Sequence, residues 1–171
     1  MQLIDAGSRH TAYSALWFAH FVIPVCIWAA LNDLRAMKIP NPAVYMLAAI
    51  FLVVGLIALP LADYPWRLLH LVIVLVVGIV FNAAGVVGAG DAKFAAAAAP
   101  YIALGDIRFL LALFAANLLA AFAAHRIAKY TPLRKLAPNW LSWNRGSDFP
   151  MGLALGSTLA IYLLAGCVYG R

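Results

Sequence analysis

Apolar residues fall along this chain in six long runs broken by short polar interruptions. The first run covers about Ala12 to Leu31. The second, about Ala43 to Ala62, follows Ile39-Pro40-Asn41-Pro42, where two prolines mark a turn and a helix start. The third extends from about Trp66 to Val87, after Asp63 and Pro65. The fourth, Asp91 to Leu104, is short and holds the alanine tract Ala95 to Ala99. The fifth covers about Ile107 to Ala124, and the sixth Phe149 to Tyr169. A bilayer core needs about 20 apolar residues per helix, so each long run is sized to cross it. The expected fold is all-α: a polytopic membrane protein with a six-helix transmembrane bundle. Its fourth helix is expected to be short or tilted, close-packed through small side chains. Gly152-x-x-x-Gly156 and Gly166-x-x-x-Gly170 in the last run point to the same kind of bundle packing.

Composition closes off the soluble alternatives. Of 171 residues, 66% are hydrophobic and only 11% charged, too few charges to cover a water-soluble surface. The chain reads as one membrane-embedded domain, 1–171, with a cytoplasmic basic loop at 125–148. The first run is longer than a signal-peptide core, and its charges, Arg35 and Lys38, follow it, so a retained helix with its N-terminus outside is expected.

The formal charge of +6 does not point to nucleic acid, because the basic residues sit where cytoplasmic loops would be. With the N-terminus outside, Arg35, Lys38, Lys93, Arg126, Lys129, Arg134, Lys135 and Arg145 lie inside. Arg9, Arg67, Arg108 and Arg171 lie outside. Cys26 and Cys167 fall inside apolar runs, with no CxxC pair. His10, His20, His70 and His125 lack metal-ligand spacing, and read as loop or membrane-edge residues. Neither a metal nor a cofactor is expected.

The acids carry the candidate chemistry. There is no glutamate, and the six aspartates are Asp5, Asp33, Asp63, Asp91, Asp106 and Asp148. Asp5 is terminal, and Asp63, Asp106 and Asp148 read as loop punctuation. Asp33 ends the first helix and Asp91 opens the fourth, so both fall at the cytoplasmic membrane boundary. A carboxylate at that depth is costly and usually functional. Two that share a proton can form an aspartyl-protease dyad, one acting as base toward water and the other polarising the scissile carbonyl. For either acid alone, a helix cap or a salt bridge with Arg35 or Lys93 is the competing reading. Gly88 and Gly90 directly before Asp91 permit close approach of another chain.

At these residues the sequence resembles the type IV prepilin peptidases, membrane aspartyl proteases of the GxGD class. Their D-x-R-x-x-x-I-P-N element is matched by Asp33, Arg35, Ile39, Pro40 and Asn41. Their G-x-G-D-x-K element is matched by Gly88, Gly90, Asp91 and Lys93. A later P-x-G element is matched by Pro150 and Gly152, with Met151 between them where many members carry an aromatic. The resemblance implies removal of the short basic leader of prepilin-like proteins, at the cytoplasmic face of the inner membrane, with Asp33 and Asp91 catalytic. It implies supporting or substrate-contacting roles for Arg35, Pro40, Asn41, Gly88, Gly90, Lys93, Pro150 and Gly152. Prepilin-like proteins and membrane lipid are then the partners. The CxxC-bearing methyltransferase domain of longer members is missing from this sequence, which resembles the short form associated with tight-adherence (Flp-type) pili. Two rival functions are a proton-coupled small transporter, whose acid would sit nearer the midplane, and a non-catalytic helical subunit, which would tolerate Asn at 33 and 91.

Overall fold

The computed structural model describes residues 11–146 and 148–170. Arg9, Arg171, Asp5 and His10 lie outside these. The described residues form an all-α fold of six helices: α1 (Ala12–Ala36), α2 (Asn41–Ala58), α3 (Tyr64–Ala83), α4 (Ala89–Ala98), α5 (Ile107–Tyr130) and α6 (Met151–Tyr169). All but α4 are long and apolar enough to cross a membrane.

Local chemistry explains the boundaries. Thr11 caps α1, its hydroxyl accepting the Ser14 N–H at 3.2 Å. At the other end Met37 adopts a left-handed conformation, φ 52°, and its N–H closes on the Asp33 carbonyl at 2.8 Å. Pro40 and Pro42 then start α2, and Pro65 starts α3 in the same way. α1 extends past Leu31 to Ala36 because the polar residues after Leu31 continue the helix beyond its apolar stretch.

The interior is built on α1, α2, α4 and α6. The closest pairing is α1 with α6, made possible by small residues. A Cβ at Gly156 would lie 2.8 Å from the Cys26 carbonyl oxygen, so only glycine lets the two backbones approach so nearly. Phe18, Phe51 and Tyr101 pack as an aromatic knot, with Phe51 stacked on Phe18 and both meeting Tyr101 edge-on. α3 and α5 are peripheral. Arg67 is the buried residue of α3 and His125 that of α5; their other faces present apolar side chains outward, as lipid requires.

α4 is the short helix. Its ten residues rise about 15 Å, half the thickness of a bilayer core. The chain continues through a 3-10 turn at Ala99–Tyr101, extended backbone at Ile102 and Ala103, and a second 3-10 turn at Leu104–Asp106. Irregular backbone at this depth must bury its polar groups in protein. The Ala103 N–H donates to the Tyr162 hydroxyl at 3.2 Å, and the Tyr101 hydroxyl donates to the Leu47 carbonyl at 2.6 Å.

The segment expected as a loop at 125–148 is more ordered than that. Residues 125–130 complete α5, and two 3-10 turns, Pro132–Leu136 and Leu141–Trp143, follow. Arg126 and Lys129 both donate to the Gly146 carbonyl at 3.0 Å. His125 lies within α5 rather than in a loop. It is buried, stacked on Trp143 at 5.0 Å and edge-on to Phe149.

Candidate active site

Three segments remote in sequence meet at one buried side chain, Ile39. It is 4% exposed. Its Cβ lies 3.6 Å from where a Gly90 Cβ would be, and its Cγ1 lies 3.0 Å from where a Gly152 Cβ would be. Ile39 therefore spaces the end of α1, the start of α4 and the start of α6 around a common point. Asp33 occupies the last turn of α1, Asp91 the first turn of α4, and Gly152 the first turn of α6.

Asp33 is buried, 5% exposed, and its Oδ2 accepts the Gly152 N–H at 2.7 Å. That short distance is typical of a bond with a charged acceptor. A Cβ at position 152 would lie 2.9 Å from both the Cβ and the Oδ2 of Asp33, so this contact needs glycine. Pro150 is fully buried just before α6. Asp91 is half-buried and interacts electrostatically with Asp33. Its Oδ2 folds back over Gly88, 2.8 Å from where a Cβ there would lie, so Gly88 makes room for this carboxyl. Asp91 accepts no hydrogen bond from the described residues and does not cap α4.

The flanking basic residues are not where a simple salt bridge would need them. Arg35 and Lys93 are exposed, and neither pairs with an acid among the described residues. Lys38 is likewise exposed, although its carbonyl accepts the Asn32 side-chain amide at 2.7 Å. Asn41 is exposed on the first turn of α2, and Pro40 is half-buried. Of the ten residues singled out in the sequence, Asp33, Asp91, Gly88, Gly90, Pro150 and Gly152 converge. Pro40 adjoins them through Ile39, whereas Arg35, Lys93 and Asn41 face outward.

Two cavities lie on elements that carry these residues, though none of the converging residues lines either. One of about 490 Å³ is lined by Arg35, Leu136, Pro138, Asn139 and Trp140. The other, about 410 Å³, is an apolar groove between α3 and α5 floored by Ala95 and Ala98 of α4. Ala95 lies four residues after Asp91, on the same helix face. Among the described residues no group of three or more His, Cys, Asp or Glu side chains could hold a metal ion.

A second polar cluster lies beyond the far end of α4, and it corrects the reading of Asp106 as loop punctuation. Asp106 is 3% exposed, and the Tyr162 hydroxyl donates to its Oδ2 at 2.7 Å. Arg67, expected on the outer side, is 7% exposed within α3 and interacts electrostatically with Tyr162, Asp63 and Asp106. Asp63 precedes it by four residues, but nothing in sequence pairs it with Asp106 or Tyr162.

Residues 20–125 match the type IV leader peptidase family. This stretch contains Asp33, Ile39, Gly88, Gly90 and Asp91, and ends before Pro150 and Gly152. No curated protein and no solved structure matches the chain.

Proposed function

This chain belongs to the type IV leader peptidase family and is a multi-pass membrane peptidase; from that premise we propose that it cuts prepilin-like proteins after their short basic leader, at the cytoplasmic face of the inner membrane, using Asp33 and Asp91 as an aspartyl dyad. The observation that carries this reading is the convergence of three motif segments on Ile39, with two carboxyls that interact electrostatically and no cation among the described residues paired to either. Two acids so placed do not readily ionise together, and one proton shared between them serves both halves of the reaction. One carboxylate takes a proton from water as the water attacks the scissile carbonyl. The other, protonated, donates to the carbonyl oxygen.

The surroundings fit a peptide substrate. Gly88 and Gly90 add no side chains of their own beside Asp91, and Gly88 is exposed, which suits close approach of an extended chain. Arg35 and Lys93 project at the cytoplasmic rim, where they hold that rim at the lipid headgroups. The basic segment from Arg126 to Arg145 sets the orientation, with the N-terminus outside. The apolar groove beginning one turn after Asp91 suits the apolar stretch that follows a leader.

The test is coexpression with a prepilin-like protein and mass spectrometry of its new N-terminus. Cleavage at the leader junction, abolished by Asp33→Asn and by Asp91→Asn in normally inserted protein, is the expected result. Wild-type processing by either variant would overturn the dyad. Inhibitors directed at serine, cysteine or metal chemistry are expected to leave cleavage intact. Strong inhibition by a chelator at constant ionic strength would reopen a metal mechanism.

A further inference from the structure

The two carboxyls have unequal surroundings. The Gly152 N–H is one of the four amide donors that α6 leaves unpaired at its N-terminus, and here it is spent on Asp33 Oδ2 at 2.7 Å. The donor and the positive end of a 19-residue helix act on the same oxygen, and both favour a negative charge there. Asp91 also lies in the first turn of a helix, but α4 is only ten residues long, and no N–H of the described residues reaches its carboxyl. Its Oδ2 faces the Cα of Gly88, a surface that offers no hydrogen bond to an anion. Neither Arg35 nor Lys93 offsets this difference, since both are exposed and neither pairs with an acid among the described residues.

We propose that Asp33 is the ionised member of the pair and the general base, that Asp91 holds the shared proton and is the general acid, and that Gly152 is the positioning residue that fixes this division. The proposal rests on the dyad reading above. In the first step Asp33 takes a proton from water while the water oxygen bonds to the scissile carbon. Asp91 gives its proton to the carbonyl oxygen, leaving a neutral gem-diol. In the second step the C–N bond breaks, and the proton held by Asp33 passes to the departing nitrogen. One gem-diol hydroxyl returns its proton to Asp91, so a carboxylic acid and an amine leave and both aspartates regain their starting states. Because Oδ2 of Asp33 is held by Gly152, its other oxygen is the one free to meet water. Glycine is required at 152 because any Cβ would displace that held oxygen.

The test removes the donor without adding an atom. Replacing Gly152 by its α-hydroxy acid analogue, through cell-free translation into liposomes, turns the N–H into an ester oxygen. With a prepilin-like protein as probe, kcat is expected to fall at least tenfold while KM stays within twofold. An unchanged kcat, or a loss confined to KM, would overturn the role of Gly152. Infrared difference spectra of the resting enzyme test the division of labour directly. Asp33→Asn is expected to remove an ionised carboxylate band, and Asp91→Asn a protonated carboxyl band; the reverse pattern overturns the assignment. Cleavage persisting in either Asn variant would instead overturn the dyad itself, so the two failures are distinguishable.

Discussion

The two ends of α4 adjoin acids in opposite circumstances. Beyond its far end, Asp106 accepts a hydrogen bond from the Tyr162 hydroxyl and interacts electrostatically with the buried Arg67, so a donor and an opposite charge attend it. At its near end, Asp91 faces another acid and accepts no hydrogen bond from the described residues. Burying a carboxylate beside a cation is how a fold ties helices together. Burying one beside a like charge costs stability and brings no tie, which is the arrangement expected where reactivity is needed. Burial alone would have ranked Asp106 above Asp91. The sign of the neighbouring charge separates them.

The contrast breaks most visibly in activity. Asp33→Asn and Asp91→Asn are expected to lower the cleavage rate by about 10²–10⁴-fold or more, with thermal stability in detergent unchanged or raised. Asp106→Asn should do the reverse, lowering stability by about 1–3 kcal/mol because it weakens the hydrogen bond from Tyr162 and removes one of the two acids that interact with the buried Arg67. Cleavage per folded molecule should stay near wild type. Denaturant titration of reconstituted protein measures the first quantity, and initial rates normalised to folded protein the second. If Asp106→Asn loses activity without losing stability, the two ends are not divided as described.

Smaller effects sharpen the picture. Gly156→Ala forces a Cβ against the Cys26 carbonyl and should destabilise by about 1–3 kcal/mol, read in the same titration. Tyr101→Phe removes the buried hydrogen bond to Leu47 and should lower stability by about 1 kcal/mol. Lys93→Ala should shift stability by less than about 0.5 kcal/mol, since Lys93 is exposed and has no partner among the described residues.

The helices were legible because bilayer thickness imposes its length on apolar runs, and because Pro40, Pro42 and Pro65 mark starts on purely local grounds. α4 was legible as the odd one through its length and its alanines. The ends of α1 and α5 were less so. Arg35, Arg126 and Lys129 look like loop charges, yet helical hydrogen bonding continues past the apolar stretch. At the candidate site, Asp33 and Asp91 stood out because acids are rare here and these two fall at one depth. Ile39 was visible only as a motif letter, and its place between Gly90 and Gly152 depends on how three helices pack. The Asp106–Tyr162 bond spans 56 positions, and His125 against Trp143 joins a helix to a turn. Neither leaves a periodic trace.

Ile39 also sets how this region can vary. Its side chain touches the space above Gly90 on one side and Gly152 on the other, so positions 39, 90 and 152 form a single steric unit. Substitutions there are not independent. A methyl added at 152 meets Asp33 as well as Ile39, and a smaller residue at 39 eases only the second contact while loosening the spacing at 90. The energies of such changes will fail to add, as expected for side chains that share one cavity. A sequence drifting by single steps is therefore held at all three positions together, and a route to a new residue at any of them has to pass through paired changes.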